Sequence, residues 1–467
     1  MAATGPRGPT EQDVVDYLER NQIRAIRTES ATLDGVLVGK HISPYKLLRS
    51  LESGLAFPDF LYATDIAGDP HFGFWAPWRQ PFFGDLLVFP DPVTLRAYPW
   101  QQGVAGILTD HADQLGAPIP VCGRSLVKSL AAELADRGFT ADVALEVEFS
   151  AFAEDIDAAR ERGYRDLTPL GGRAAGPIGG QLRQYRHEPF LAEIRARLAA
   201  IGIAWEATHA EAAPGQFEVS VHPADPVTAA DTAIRLRQIV KEAALDAGHC
   251  ATFLSKPHEH AFGTGLHIHH SLTRNGDPAF WDEARDDHRS STMRRWLGGL
   301  MATLPGSVAI LAPAITSYRR MVDFVAAPTT ATWGEDNKST AIRTIGRTAE
   351  LARIEHRVGA AEVNPYLAVA VILAGGLAGL DEALEPPPEF PYLAWGVPDN
   401  VPRLPPSMPE AVAALRADTR LRKFLSDDFV DYYANTREWE HLRYGEATGA
   451  TSATLTDWEL TRYFENA

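Results

Sequence analysis

Asp142-Val143-Ala144-Leu145-Glu146-Val147-Glu148-Phe149 is the stretch on which the reading of this chain turns. Its apolar residues recur every second position. Val143, Leu145, Val147 and Phe149 fall on one side of a strand, so Glu146 and Glu148 share the other, roughly 7 Å apart by strand rise. Two carboxylates so spaced could each serve one of two neighbouring cations. Three further segments repeat the pattern. Over 216–222, Phe217, Val219 and Val221 oppose Gln216, Glu218, Ser220 and His222, with Glu211 just ahead across Pro214-Gly215. Over 263–271, Leu266 and Ile268 oppose His267, His269 and Ser271. Over 352–358, Arg353, Glu355 and Arg357 share a face. Carboxylates gathered on one buried surface repel and need cations. Hard oxygen ligands with imidazole suit Mg²⁺ or Mn²⁺ better than a structural zinc.

Taken singly, each segment has an ordinary explanation. Alternating glutamates are the usual pattern of a solvated sheet face. A His-x-His pair sits as often on a surface or in a core, and the 353/355/357 trio could be an ion-pair ladder worth little. Four such strands in one chain, flanked by glycine turns, favour a shared metal and phosphate surface. His258-Glu259-His260, after Pro257, reads as loop.

The 467 residues are 45% hydrophobic and 22% charged, as expected of a globular chain of one large or two smaller domains. With 44 Lys plus Arg against 61 Asp plus Glu, the net charge of −17 disfavours nucleic acid and anionic membranes as partners. Two cysteines, Cys122 and Cys250, make no C-x-x-C pair. A disulfide framework and a thiolate zinc site are therefore not expected, and a reducing cytoplasm fits best. The N-terminus lacks the apolar core of a secretory signal and reads as a partly disordered lead-in. The apolar run 367–380 is shorter than the roughly 20 residues of a membrane span and reads as a buried helix.

Helical periodicity appears over 11–20, 124–137, 189–201, 229–247, 293–304, 367–384 and 409–417, between alternating strands. The mixture points to α+β rather than a doubly wound sheet. We expect an N-terminal segment over 1–18, a small domain over 19–112 and a large domain over 118–467, divided at the proline-bearing stretch 111–122. No Walker A sequence and no G-x-G-x-x-G after a strand is present.

The motifs, taken in order, resemble the glutamine synthetase family. They are Glu146-Val-Glu148-Phe, Glu211-Ala-Ala-Pro-Gly-Gln216-Phe-Glu218, Lys256-Pro257 with Gly263-Thr-Gly-Leu-His267-Ile-His269, Ser317-Tyr-Arg-Arg320, Asn337-Lys338-Ser339 with Arg343, Arg353-Ile-Glu355-His-Arg357 and Asn364-Pro-Tyr-Leu367. The tail 456–464 is similar to the family's C-terminal strap. The resemblance implies a β-grasp-like N-terminal domain and a catalytic domain with an open antiparallel, barrel-like sheet. It implies two or more Mg²⁺ or Mn²⁺ ions per site, one held by Glu148, Glu211 and Glu218 and the other by Glu146, His267 and Glu355. His269, Ser271 and Arg353 match ATP-contacting positions. Arg320, Arg343 and Arg357 match those that grip glutamate and the migrating phosphoryl group, beside Gly263. The implied substrates are glutamate, ATP and an amine. The implied assembly is a homo-oligomer of stacked hexameric rings, with Asp65 reaching into a neighbour's site.

Four positions depart from the family. Ala326 stands where a flap glutamate helps deprotonate ammonium, Phe262 replaces an asparagine beside glutamate, and Lys338 replaces an arginine near the transferred phosphate. Pro402 occupies the place of the tyrosine adenylylated in many bacterial members, so that control is not expected. Alanine cannot attract ammonium or take its proton. The expected acceptor is therefore a small organic monoamine such as ethanolamine, with polyamines or ammonia as alternatives. A catalytically silent relative and a metal-dependent oxygenase or hydrolase are the competing classes. The first has no reason to keep six ligand positions, and the second needs about three ligands and no arginine cluster.

Overall fold

The computed structural model of the protein describes residues 8–71, 84–259, 262–449 and 454–467. Residues 1–7 of the expected lead-in and His260 of the loop after Pro257 lie outside them. The first helix, Glu11–Arg20, begins at a reciprocal cap. The Thr10 hydroxyl accepts the Asp13 N–H at 3.2 Å while the Asp13 carboxylate accepts the Thr10 N–H at 2.7 Å. Two amide donors at the helix start are thereby satisfied.

Seven strands then form a mixed sheet: β1 (Ala25–Ala31), β2 (Leu37–Val38), β3 (His41–Ile42), β4 (Leu55–Pro58), β5 (Asp85–Pro90), β6 (Arg96–Ala97) and β7 (Val104–Ala112). Their order is β2-β1-β7-β5-β4, with β3 on β1 and β6 on β7. β1 and β7 run parallel and the other pairs antiparallel. Ile26 and Ile107 of the parallel pair join Val14 and Leu18 of the first helix and Leu47 of helix Pro44–Ser53 in a small core of their own.

The second sheet carries the alternating segments. Its strands are β8 (Thr140–Phe152), β9 (Trp205–Ala210), β10 (Gln216–Val221), β11 (Cys250–Thr252), β12 (Leu266–Arg274), β13 (Asp277–Pro278), β14 (Trp333–Glu335), β15 (Ile342–Ile345) and β16 (Arg353–His356). The order is β14-β15-β16-β12-β8-β10-β9, with β11 on β8 and β13 on β12. The sheet is open, because β14 and β9 end it without meeting. All pairs are antiparallel except β14–β15. Val143, Leu145, Val147 and Phe149 pack into the main core with Phe217, Val219, Leu266 and Ile268. That apolar half of the alternation leaves the glutamate face free.

Helices Pro226–Asp246, Ser291–Leu311 and Pro365–Glu382 share this core. The last two cross so closely that a Cβ on Gly299 would lie 2.0 Å from Gly375 O. Helix Pro365–Glu382 has the length and apolar character of a membrane span, yet 83% of it is buried inside the protein. Charged pairs fasten helices of the larger part of the chain to the N-terminal region. Arg235 meets Glu29 at 2.9 Å, Arg124 meets both Asp91 and Asp110 at 2.9 Å, and Arg437 meets Asp34 at 2.6 Å.

Among the longer helices, two differ most from expectation. Helix Gln181–Ala200 starts well before residue 189, with Pro189 inside it. Proline reads most naturally as a first-turn residue, which placed the expected start too late. Helix Asp427–Thr448 was not expected at all. Its buried residues include Tyr432, Arg437 and Glu440 as well as Phe429 and Val430, so no apolar stripe marks it.

Candidate active site

Strand register gathers the chemistry. On β8, Glu146 lies opposite His267 of β12 on one side and Ser220 of β10 on the other, while Glu148 lies opposite Glu218. β16 sets Glu355 opposite His269, β15 sets Arg343 opposite Glu355, and β9 sets His209 opposite Glu218. Directly opposed residues share a face, so these side chains leave the sheet together.

Among the described residues, three groups bring their ligand atoms within 4.8 Å of one another: Glu146, Glu218 and His267; Glu146, His269 and Glu355; and His209, Glu211 and Glu218. Glu146 is shared by two of them. Its oxygens lie 3.2 Å from His267 Nδ1 and 3.0 Å from His269 Nε2. His267 Nδ1 is also 3.9 Å from Glu355. Glu148 belongs to none of the three. Its Oε2 accepts from Gln216 Nε2 at 2.9 Å and from the Gly265 N–H at 2.8 Å.

The electrostatics are those of crowded acids. Burial pushes the Glu218 carboxyl up to about 7, with Glu146 and Glu211 adding to the effect. Burial also raises Glu148, beside Glu218 and Glu211. Glu146 goes the other way, because hydrogen bonds from His267 and His269 outweigh its burial and hold it below the usual carboxylate range. In Glu211 a bond from His209, at 2.7 Å, outweighs burial. In Glu355 the Arg357 guanidinium does so. Buried, mutually repelling carboxylate oxygens joined by imidazole nitrogens fit divalent cations of the Mg²⁺ or Mn²⁺ type.

An arc of arginines lies beside them. Arg343 Nη1 donates to Glu355 Oε2 at 2.9 Å, and Arg357 Nη1 also pairs with Glu355. Arg357 Nε is buried without a hydrogen-bond partner. A donor so placed suits an incoming carboxylate or phosphate oxygen. Arg320, 3% exposed, donates to the Val358 and Arg357 carbonyls at 3.2 and 3.4 Å. It crosses so near the turn into β12 that a Cβ on Gly263 would sit 2.9 Å from its Cγ.

On the other side of Glu146, a cavity of about 420 Å³ is lined by His269, Ser271, Arg353 and Ser220 among others. Phe262, Lys338 and Ala326 are exposed, and Ala326 sits in a turn with φ of 63°. Asp65 stands apart from this face. It pairs with Arg462 at 2.5 Å, accepts from Trp439 Nε1 at 3.1 Å, and is nearly buried against the C-terminal helix Asp457–Tyr463.

Sequence reasoning passed over His209 and Gln216 as site residues. Gln216 already lay on the Glu218 face, which was a usable signal. His209 had none, since only the β9–β10 register carries it to Glu218.

The chain matches the catalytic domain of glutamine synthetase over residues 120–463. It is 32% identical to gamma-glutamylethanolamide synthetase GlnA4 of Streptomyces coelicolor over 435 residues, 93% of this chain and 91% of that protein. It is 30% identical to gamma-glutamylputrescine synthetase PuuA of Escherichia coli over 442 residues, 93% and 92% of the two chains. To a glutamate–isopropylamine ligase of Pseudomonas it is 29% identical over 455 residues, 97% of each chain. The solved structure of GmaS with ADP shares its fold at a TM-score of 0.81 and 28% identity, covering 96% of this chain and 98% of that one.

Proposed function

The chain belongs to the glutamine synthetase family, and from that premise we propose that it is an ATP-dependent ligase joining the glutamate γ-carboxylate to a primary amine. The observation that carries this reading is the single face on which Glu146, Glu218, His267, His269 and Glu355 converge beside Arg343 and Arg357. Relatives named for ethanolamine, putrescine and isopropylamine chemistry support an organic acceptor without choosing among them.

The reaction runs in two transfers. A glutamate γ-carboxylate oxygen takes the γ-phosphoryl group of ATP, and ADP departs. The amine nitrogen then attacks the acyl carbon, phosphate leaves, and the nitrogen gives up a proton to form the amide. His269, Ser271 and Arg353, lining the cavity beside Glu146, hold ATP. Arg320 and Arg357 orient glutamate next to Gly263, and Arg343 with Lys338 faces the phosphoryl group as it moves. Divalent cations held by Glu148, Glu211 and Glu218 and by Glu146, His267 and Glu355 would neutralise phosphoryl charge; the clustering of His209 with Glu211 and Glu218, and of His269 with Glu146 and Glu355, supports both histidines as further ligands.

The acceptor we favour is a small monoamine such as ethanolamine. Ala326 offers no carboxylate to draw ammonium, and the exposed Phe262 adds an apolar surface. The β1–β7 parallel pair among antiparallel neighbours supports reading 19–112 as a β-grasp-like domain, with 118–467 as the catalytic domain. Exposed Ile178, Leu182 and Tyr185 support assembly into rings in the cytoplasm. The bonding of Asp65 to Arg462 supports a brace within its own chain more directly than a task in a neighbour's site. Phosphate release with glutamate and ATP, across ammonium, methylamine, ethanolamine, putrescine and spermidine with product masses, tests the reading. Turnover is expected to be fastest with a small monoamine. Faster turnover with ammonium than with every organic amine would overturn the choice of acceptor, and no turnover with any would overturn the ligase.

A further inference from the structure

Away from the strand face, a cavity of about 240 Å³ opens between helix Pro226–Asp246, the Gly35–Leu37 segment and the C-terminal residues Glu465 and Asn466. Arg237 and Lys241 line it from successive turns of the helix, among Ile156, Ile234 and Leu245. Arg237 is 4% exposed, and Lys241 is half-buried. Arg237 Nη1 donates to Val363 O at 3.0 Å and Lys241 Nζ to Glu465 O at 2.8 Å. Both cations also lie over the Phe253 ring, 5.3 and 5.9 Å from its centroid.

Among the described residues those two carbonyls are their only hydrogen-bond acceptors, and no carboxylate pairs with either. The nearby acids are engaged elsewhere. The Glu362 carboxylate accepts from Ser317 Oγ at 2.6 Å and from Ser255, and that of Glu465 accepts from Arg160 at 3.0 and 2.9 Å and from Tyr164 at 2.5 Å. Two cations drawn from water with no carboxylate in contact, only the longer-range pull of Glu362 and Glu465, are costly. Burial and the neighbouring Arg237 push the Lys241 ammonium down to about 7 against the pull of Glu465, and burial lowers Arg237 to about 10 against that of Glu362. Most of the guanidinium and ammonium donors remain for an incoming anion. The cavity is smaller than the roughly 300–1,000 Å³ of sites for larger ligands, so a nucleotide does not suit it.

We propose that this cavity binds a small organic carboxylate, its oxygens held by Arg237 and Lys241 and its short hydrocarbon body against Ile156, Ile234 and Leu245. No residue of the strand face lines it, so the site is separate from the ligase centre. Because Lys241 also holds the Glu465 carbonyl, an occupant braces the C-terminal segment against the helix.

Calorimetric and thermal-shift titration of the full chain with butyrate, glutarate and inorganic phosphate, without ATP or divalent ions, tests this. Saturable binding of a carboxylate, tighter than phosphate, is expected, with a rise in unfolding temperature. Arg357→Gln, which alters the glutamate-gripping cluster, should leave it unchanged. Lys241→Gln should weaken it roughly tenfold or more, and Lys241→Arg should restore much of it. No saturable carboxylate binding, tighter phosphate binding, loss in Arg357→Gln, or full affinity in Lys241→Gln would each overturn the proposal. Should Lys241→Gln not fold, crystals of the unaltered protein with 3-bromopropionate decide. Bromine in this cavity supports the site, and bromine only elsewhere rejects it.

Discussion

Glu218 shows how strongly neighbours set the state of one carboxyl. It is 7% exposed, opposite Glu148 and His209, and burial beside Glu146 and Glu211 raises its carboxyl while Glu146 is lowered. Glu218→Ala removes the member common to two of the three ligand groups. Divalent-ion affinity and turnover should fall together, each by about 100-fold or more, while far-ultraviolet circular dichroism stays unchanged. Calorimetry with Mn²⁺ and a phosphate-release assay check this, and wild-type affinity in the variant would remove Glu218 from the metal site. Ala326 makes a complementary case. Its φ of 63° is already left-handed, so Ala326→Glu adds no new kind of backbone strain. The variant should shift the ratio of ammonium to ethanolamine turnover towards ammonium by about tenfold, as a carboxylate that attracts and deprotonates the cation would. Competition assays with product masses read the ratio directly.

The turn into β12 joins residue chemistry to strand placement. Gly263 has φ of 99°, and a side chain there would press on Arg320 Cγ and, at 3.0 Å, on Ser255 O. Gly263→Ala should cost about 1–3 kcal/mol of stability and raise KM for glutamate more than KM for ATP. Chemical denaturation and steady-state kinetics measure the two effects, and equal rises in both KM values would argue against a glutamate-specific role. Strands such as β8, β10, β12 and β16 were legible because alternation is a property of each segment alone. Helices were legible only where one side was uniformly apolar. Pro189 moved one expected start, and the buried Arg437 and Glu440 hid another helix altogether.

Buried ion pairs add to the shared apolar core in tying distant segments together. Arg462 touches Asp65 at 2.5 Å and Glu440 at 2.7 Å, tying the C-terminal helix both to the N-terminal region and to helix Asp427–Thr448. Arg462→Ala leaves two buried carboxylates without their cation, and should lower unfolding stability by about 3–5 kcal/mol. A loss of a few tenths in urea titration would show that water replaces the arginine. The same pairs set the acid limb. Burial alone would raise Asp65, Asp91 and Glu29, but Arg462, Arg124 and Arg235 respectively outweigh it and lower all three. A lowered carboxyl contributes stability above its unfolded value, 3.8 for Asp and 4.5 for Glu, and loses it as pH falls through the folded value. Stability carried by these pairs should therefore be level near neutrality and decline below about pH 4.5, less steeply in Arg462→Ala. Urea midpoints across pH test the sign.

The alternation at 142–149, 216–222, 263–271 and 352–358 was enough to say which residues leave the core and which chemistry they carry, because a strand sends successive side chains to opposite faces wherever it lies. The order of the motifs likewise carried the family. Which residues meet was another matter. His209 reaches Glu218 only through the β9–β10 register, Gln216 reaches Glu148 only through β8–β10, and Asp65 finds Arg462 across nearly the whole chain. Arg237 and Lys241 came to line one cavity, with no carboxylate in contact among the described residues, only when the fold brought Glu465 and the Gly35–Leu37 segment to them. Periodicity along one segment is local, whereas register, burial and charge pairing belong to segments brought together by folding, and no short stretch of sequence contains them.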